Sequence, residues 1–295
     1  MFRLTREVRF AVNAGESAAM AQGRPSNSYA GYPSLRGAGQ FFVLRCTVAG
    51  ELNAASQYLL NIKEIDEAVR RQAVPLVAGA LAERAFGGGG NVLGRVFEVL
   101  SSGFQPRQTG MSAPPQTGIS APPQTGISAP PQTDKNVCPT RLERVQLFLS
   151  PFLSLGIEHQ EPAMVKLNQK FEFSASHRLH NPKMSEEENR RTFGKCNNPH
   201  GHGHNYEVQV TVAGRPDGNG VIVDVPELER IVGATVIDKL DHKNLNVEVD
   251  AFRELIPTVE NIAMVIYRML KARLPALAAV TVWETPKTWC EYSES

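Results

Sequence analysis

No histidine occurs before His159, and all seven lie in the second half of this 295-residue chain. Chemistry that needs an imidazole therefore belongs to that half. Cysteine is sparse too. Cys46, Cys138, Cys196 and Cys290 stand far apart, which does not suggest a disulfide framework and leaves a thiol free to act in a reducing cytoplasm. No apolar run approaches transmembrane length, and Met1-Phe-Arg-Leu-Thr-Arg-Glu7 lacks the apolar core of a signal peptide. A net charge of +1 gives no electrostatic case for nucleic acid or a membrane surface. The expectation is a soluble cytoplasmic protein with room for two domains.

What is present is a metal-ligand set. His202 and His204 are two residues apart, a spacing that points both imidazoles to one face of a β-strand. Tyr206, Val208, Val210 and Val212 continue that face, with Asn205, Glu207, Gln209 and Thr211 on the other. Phe171, Phe173, Ala175 and His177 alternate in the same way. Antiparallel pairing would set the end of the first strand beside the start of the second and bring three imidazoles together. Three neutral histidines without a fourth protein ligand suit a catalytic zinc with one position open. His200, flanked by Pro199 and Gly201, reads as loop, and His159 and His180 as structural or surface residues.

Two repeats organise the chain. Thr-Gly-Met/Ile-Ser-Ala-Pro-Pro-Gln recurs three times over residues 109–133, too rich in proline, glycine and serine to build a core. The longer repeat is the chain itself. Thr47-Val-Ala-Gly50 matches Thr211-Val-Ala-Gly214, Asn61-Ile-Lys-Glu matches Asp224-Val-Pro-Glu, and Val145-Gln-Leu-Phe matches Val280-Thr-Val-Trp. The second copy reads strand, long loop, strand, helix, loop, helix, strand. Its helices start near Pro226, with Leu228, Val232, Val236 and Leu240 on one face, and after Thr258, a suitable N-cap. Two helices on one face of an antiparallel sheet make an α+β fold.

Three further places could carry chemistry. Cys196, six residues before His202 and next to Lys195, could be a base whose thiolate is favoured, a fourth zinc ligand, or a small loop residue. Asp241-His242 could relay a proton or form an exposed charged turn. Glu284 ends an apolar strand, where a carboxylate could accept two parallel hydrogen bonds from a guanidine-type edge or simply meet solvent.

Phe173-Ser-Ala-Ser-His177, Phe193-Gly-Lys-Cys-Asn-Asn-Pro199, Gly201-His-Gly-His-Asn-Tyr206, Leu240-Asp-His-Lys-Asn-Leu245, Thr258-Val-Glu-Asn261 and Glu284-Thr together resemble the 6-pyruvoyl-tetrahydropterin synthase family, over about residues 165–292. The resemblance implies the tunnelling fold, a four-stranded antiparallel sheet backed by two helices that assembles through three-unit β-barrels. It implies zinc on His177, His202 and His204, a catalytic group of Cys196, Asp241 and His242, and a pterin anchor at Glu284 with Thr258 and Glu260 nearby. The implied reaction is a lyase step on 7,8-dihydroneopterin triphosphate, eliminating triphosphate. The related 6-carboxytetrahydropterin synthase of queuosine biosynthesis uses the same substrate and releases acetaldehyde. The longer Cys196-to-His202 interval resembles the pyruvoyl-forming branch.

The chain is thus expected to hold two tandem tunnelling-fold units. Residues 1–160 would be a degenerate, non-catalytic unit with a proline-rich insert at about 103–137, and residues 161–295 the catalytic unit. By the internal alignment Ala14, Ala38 and Gln40 stand for the three histidines, Tyr32 for Cys196, Ala78-Gly79 for Asp241-His242, Gly90 for Glu260 and Leu149 for Glu284. The expected partners are a small pterin triphosphate and other copies of the chain, for example a trimer that mimics a hexamer. Another class, a non-catalytic zinc-binding scaffold, stays open at this point.

Overall fold

Alternating apolar residues set the sheet, and the sheet sets everything else. The computed structural model describes residues 1–13, 31–53, 56–104 and 140–294; Ala14 and residues 105–137 of the expected insert lie outside them. In the second half β5 (Val165–His177) and β6 (His202–Gly214) pair antiparallel along their whole length, from Val165 opposite Gly214 to His177 opposite His202. In the first half β1 (Phe2–Val12) and β2 (Gln40–Gly50) pair likewise, from Phe2 opposite Gly50 to Val12 opposite Gln40. Tyr206, Val208, Val210 and Val212 are buried on one face, as are Phe42, Leu44, Cys46 and Val48 in the other half.

Each half then supplies two helical stretches and a hairpin. α1 (Ile62–Ala68) runs through a π turn at Val69–Ala73 into α2 (Val74–Ala82), and α3 (Gly90–Gly103) follows. The hairpin is β3 (Arg141–Phe148) and β4 (Leu153–Glu158). After β5 comes α4 (Glu186–Phe193), and after β6 the counterpart of the first helical stretch, α5 (Val225–Val232), a π turn at Gly233–Ile237 and α6 (Asp238–Leu240). A short β7 (Lys243–Asn244) and α7 (Leu245–Glu248) lead to α8 (Val259–Lys271), β8 (Leu277–Thr285) and β9 (Thr288–Tyr292). Apolar helix residues such as Ile65, Val69, Leu93, Val96, Leu228, Val236, Ile262 and Ile266 are buried in one core against the sheet. The fold is α+β.

Both halves share a single sheet of order β1-β2-β3-β4-β5-β6-β8-β9, with β7 lying parallel to β5. The joint between the halves is antiparallel, from Leu153 opposite Gln169 to Gly156 opposite Lys166. A second seam is made by backbone alone. Gly88 N donates to Asn219 O at 2.9 Å and Gly90 N to Gly220 O at 3.0 Å. A Cβ on Gly88 would stand 2.5 Å from Gly220 O, so the glycine run there is a condition of the contact.

Two elements escape the sequence pattern. The loop expected between the histidine strands contains α4, held by a capping box of Ser185 and Glu188; its one buried residue is Asn189, so no apolar period announces it. β9 follows the strand expected to be last. It is an edge strand of five residues, largely exposed and without an apolar run. No helix among the described residues is long and apolar enough to cross a membrane.

Candidate metal centre

The two long strands end where the histidines are. His177 pairs with His202 across β5 and β6, and His204 lies opposite Ala175. The alternation that buries Phe173 and Ala175 therefore also turns His177 to the helix-covered side, where it is 0 % exposed. The candidate ligand atoms of His177, His202 and His204 lie within 4.8 Å of one another, and His177 Nε2 is 3.1 Å from His202 Nε2.

The surroundings favour metal-ready imidazoles. His177 Nδ1 lies 2.8 Å from the carbonyl of Pro257, a contact that fixes the tautomer with Nδ1–H donating and leaves Nε2 to face the other histidines. Tyr206 brings its hydroxyl to 3.3 Å of the same nitrogen. Burial, then the neighbouring His202 and His204, outweigh the Pro257 contact and lower the His177 pKa to about 4. Burial also lowers that of His204, against the opposing pull of Glu284. Both rings are therefore neutral at neutral pH, the state a metal requires. His202 Nδ1 and His204 Nε2 are buried without a hydrogen-bond partner among the described residues. An orphaned buried nitrogen beside two facing ring nitrogens fits a cation held between the rings.

Glu284 comes closer to this cluster than its place at a strand end suggested. Its Oε1 is 3.5 Å from His177 Nε2 and 3.7 Å from His204 Nε2. Cys196 sits in the 3-10 turn Gly194–Asn197, whose backbone is tied to the end of β5 by Leu179 N donating to Cys196 O at 2.9 Å. Burial and then the Glu284 carboxylate push the Cys196 thiol up, so the expected favouring of its thiolate by a basic neighbour is not met by the protein groups alone. A bound cation would oppose that field.

Asp241 and His242 form a unit at the edge of β5. Asp241 Oδ2 lies 2.8 Å from His242 Nδ1, its Oδ1 accepts from Ser174 N at 2.8 Å, and His242 N donates to Ser174 O at 2.6 Å. The Ser174 amide, then the His242 ring, hold the Asp241 carboxyl below the usual carboxylate range. His242 adopts φ 57° and its side chain is 82 % exposed. Left-handed backbone at a non-glycine residue is costly and marks a place where geometry is imposed. No hydrogen bond joins His242 to the three imidazoles among the described residues. His242 and His204 do line one open cleft of about 700 Å³, with Ser174, Ser176, Asn205 and Lys243. Thr258 caps α8 directly after Pro257, and Glu260 is exposed in the first turn of that helix. A larger cleft of about 1140 Å³ in the first half contains no histidine or cysteine, and its lining includes Phe104 and Thr140, where residues 105–139 leave and rejoin the described chain.

Sequence reasoning missed the supporting shell. Asn246 clamps the residue after His177, accepting from Arg178 N at 2.7 Å and donating to Arg178 O at 3.0 Å. Buried Asn197 donates to Leu179 O at 2.8 Å. Such asparagines give no periodic signal, though Asn246 directly follows the Asp-His-Lys-Asn-Leu run. In the first half Gln40 lies opposite Val12 as His204 lies opposite Ala175, and Leu149 follows β3. Buried Val92, Leu93, Val96, Phe97 and Leu100 of α3 match Ile262, Ala263, Ile266, Tyr267 and Leu270 of α8, which sets Gly90 at the place of Glu260.

Residues 166–295 match the family described as 6-pyruvoyl tetrahydropterin synthase. The chain is 43 % identical over 123 residues to the 6-pyruvoyl tetrahydrobiopterin synthase of Homo sapiens, covering 41 % of this chain and 85 % of that protein. It is 27 % identical over 153 residues to the 6-carboxy-5,6,7,8-tetrahydropterin synthase of Haemophilus influenzae, covering 44 % of this chain and all of that one. The solved 6-pyruvoyl tetrahydropterin synthase of Caenorhabditis elegans shares 39 % identity at a TM-score of 0.44, covering 45 % of this chain and 96 % of that one.

Proposed function

The chain belongs to the 6-pyruvoyl tetrahydropterin synthase family, and on that premise we propose that residues 161–295 form a zinc-dependent lyase unit acting on 7,8-dihydroneopterin triphosphate. The product would be 6-pyruvoyl-tetrahydropterin, with triphosphate eliminated. The observation that carries this reading is the convergence of three imidazoles, two of which hold a buried ring nitrogen without a hydrogen-bond partner among the described residues, beside Glu284 and Cys196. Zinc held by His177, His202 and His204 would supply Lewis acidity toward the substrate's side-chain hydroxyls and raise the acidity of the groups beside them. Cys196 takes the proton released there, and His242, oriented by Asp241 through Nδ1, returns one from Nε2. Glu284 accepts two hydrogen bonds from the guanidine-type end of the pterin, with Thr258 and Glu260 nearby.

Residues 1–160 are in this reading a second copy of the same unit, kept for assembly and without the chemistry, in a homo-oligomer. The shared element order, the bulges and the π turns of the two halves support it.

The carboxy-forming reaction is the alternative, since the same substrate serves both branches. Greater identity to the pyruvoyl-forming relatives and the long Cys196-to-His202 interval favour the first. Mass analysis of the product decides between them: a pyruvoyl product without acetaldehyde is expected, and acetaldehyde release would select the other branch. Metal analysis should find about one zinc per chain. A chain that carries zinc and turns over neither way is a scaffold.

A further inference from the structure

Packing accounts for all of Tyr206 except its hydroxyl. Tyr206 stands opposite Phe173 as Phe42 stands opposite Phe10 in the first half, and both pairs stack, at 4.9 and 5.5 Å between ring centroids. A phenyl ring is therefore enough for the sheet. Tyr206 and Phe42 are both 0 % exposed, so the extra hydroxyl is carried into the core. A buried hydroxyl is costly unless its hydrogen bonds are made. Among the described residues its one partner is His177 Nδ1, at 3.3 Å. That nitrogen also lies 2.8 Å from the Pro257 carbonyl, which can only accept. Nδ1 therefore carries the proton, and Tyr206 Oη is its second acceptor. The phenolic proton is left without an acceptor among the described residues. The fold thus retains an unsatisfied O–H beside an imidazole, and the half without histidine has a phenylalanine at the same place.

We infer that Tyr206 is a positioning residue of the metal centre: its hydroxyl steadies the Nδ1–H of His177, keeps Nε2 turned to the other two imidazoles and so tightens the hold on zinc. This role presupposes the zinc site proposed above.

Strand period puts the hydroxyl there. His202, His204 and Tyr206 are successive residues on one face of β6, so two ligands and the support of the third come from one strand. The Tyr206 ring stands edge-on to His177 and His204, at centroid distances of 6.1 and 5.5 Å. The other acceptor belongs to a different element. Pro257 directly precedes Thr258, the N-cap of α8, and the Ile256 carbonyl before it accepts from Asn261 Nδ2 at 2.8 Å. Strand and helix each hold one acceptor against the same N–H, so a turn of the imidazole loses both contacts. A cation on Nε2 draws electron density from the ring and makes Nδ1–H the stronger donor. Both contacts then tighten as metal binds, and removing a partner of this kind weakens metal affinity by about 10–100-fold.

Full-length Tyr206→Phe, measured beside the unaltered chain, tests the role. Competition with a chromogenic chelator should give a zinc dissociation constant at least about 10-fold higher in the variant. Urea denaturation of the metal-stripped proteins should give the variant an equal or higher midpoint, because the substitution removes an O–H that has no acceptor. A hydroxyl that merely props the fold would do the reverse, lowering the metal-free midpoint and leaving the zinc affinity of the folded protein unchanged. Either of those results, or a variant that no longer folds, would overturn the inference while the lyase reading stands. An unaltered chain that takes up no zinc would overturn both.

Discussion

The two halves of this chain agree in the middle of their strands and differ at one end. Both have a bulge at the same step of the second strand and a π turn at the same step of the first helical stretch. Both cap that stretch with an asparagine or aspartate, Asn61 or Asp224. Both stack an aromatic pair across the first two strands, Phe10 on Phe42 at 5.5 Å and Phe173 on Tyr206 at 4.9 Å. The difference within that pair is one hydroxyl, and it is the one that reaches His177. Shape is written in mid-strand residues that pack, chemistry in strand-end residues that do not. A strand end can therefore be without histidines while the sheet keeps the same register.

The largest expected effect breaks that comparison from the living side. His202→Ala should make the second half resemble the first: zinc falls to near zero by metal analysis and turnover is lost, while circular dichroism keeps the same strand and helix content. Cys196→Ala should separate holding the metal from using it. Zinc content should be unchanged and turnover lowered about 10²–10⁴-fold, the usual range for a general base. Loss of zinc in that variant would make Cys196 a ligand.

How much of this could be read from the residues depends on what announces itself by period. The triad, its strand phase and the helix faces of α5 and α8 all have a repeat of two or of three to four residues. Glu284, Asp241 and His242 have no period: residue type and position mark them as candidates, and the resemblance alone chooses between their alternatives. Asn246, Asn197 and the Pro257 carbonyl were not legible, because a residue that satisfies one backbone group leaves no pattern in its neighbours. The glycines at 87–90 were passed over for a related reason. Their role depends on a loop more than a hundred residues away, and only the close approach to Gly220 reveals it.

The absence of histidine from the first half sharpens the next test. In metal-stripped protein His177 stays neutral in the fold down to about pH 4 but takes a proton near 6.5 when unfolded. The unfolded chain then binds more protons between those values, so stability falls as pH drops from 6.5 towards 4, by at most about 3 kcal/mol. Urea midpoints measured across that window should show the slope. His177→Gln should flatten it, and an equal slope in the variant would assign it elsewhere.

A smaller effect probes what holds the halves together. Gly88→Val puts side-chain atoms against the backbone of Gly220 and Val221, and overpacking of this kind costs about 1–3 kcal/mol. Urea unfolding followed at Trp283 and Trp289 should show the second half melting earlier. An unchanged midpoint would mean that the seam yields without strain.

The smallest effect compares one position in both halves. Arg6 on β1 and Gln169 on β5 are equivalent, and so are their helix partners Asp66 and Glu229. Arg6 makes a bidentate pair, at 2.7 and 2.8 Å, whereas Gln169 reaches Glu229 at only 3.5 Å and leaves its buried Oε1 without a partner among the described residues. The strand-to-helix clamp is thus tighter in the half without histidine. Arg6→Ala should cost about 1 kcal/mol, discounted for the part of the pair that water reaches. Gln169→Leu should cost nothing or stabilise slightly, because it removes an unsatisfied buried oxygen and fills the same space with carbon. Chemical denaturation of the two variants side by side checks both signs. If Gln169→Leu is the more damaging, its amide has a partner that the weak contact to Glu229 does not represent, and the second half is clamped as firmly as the first.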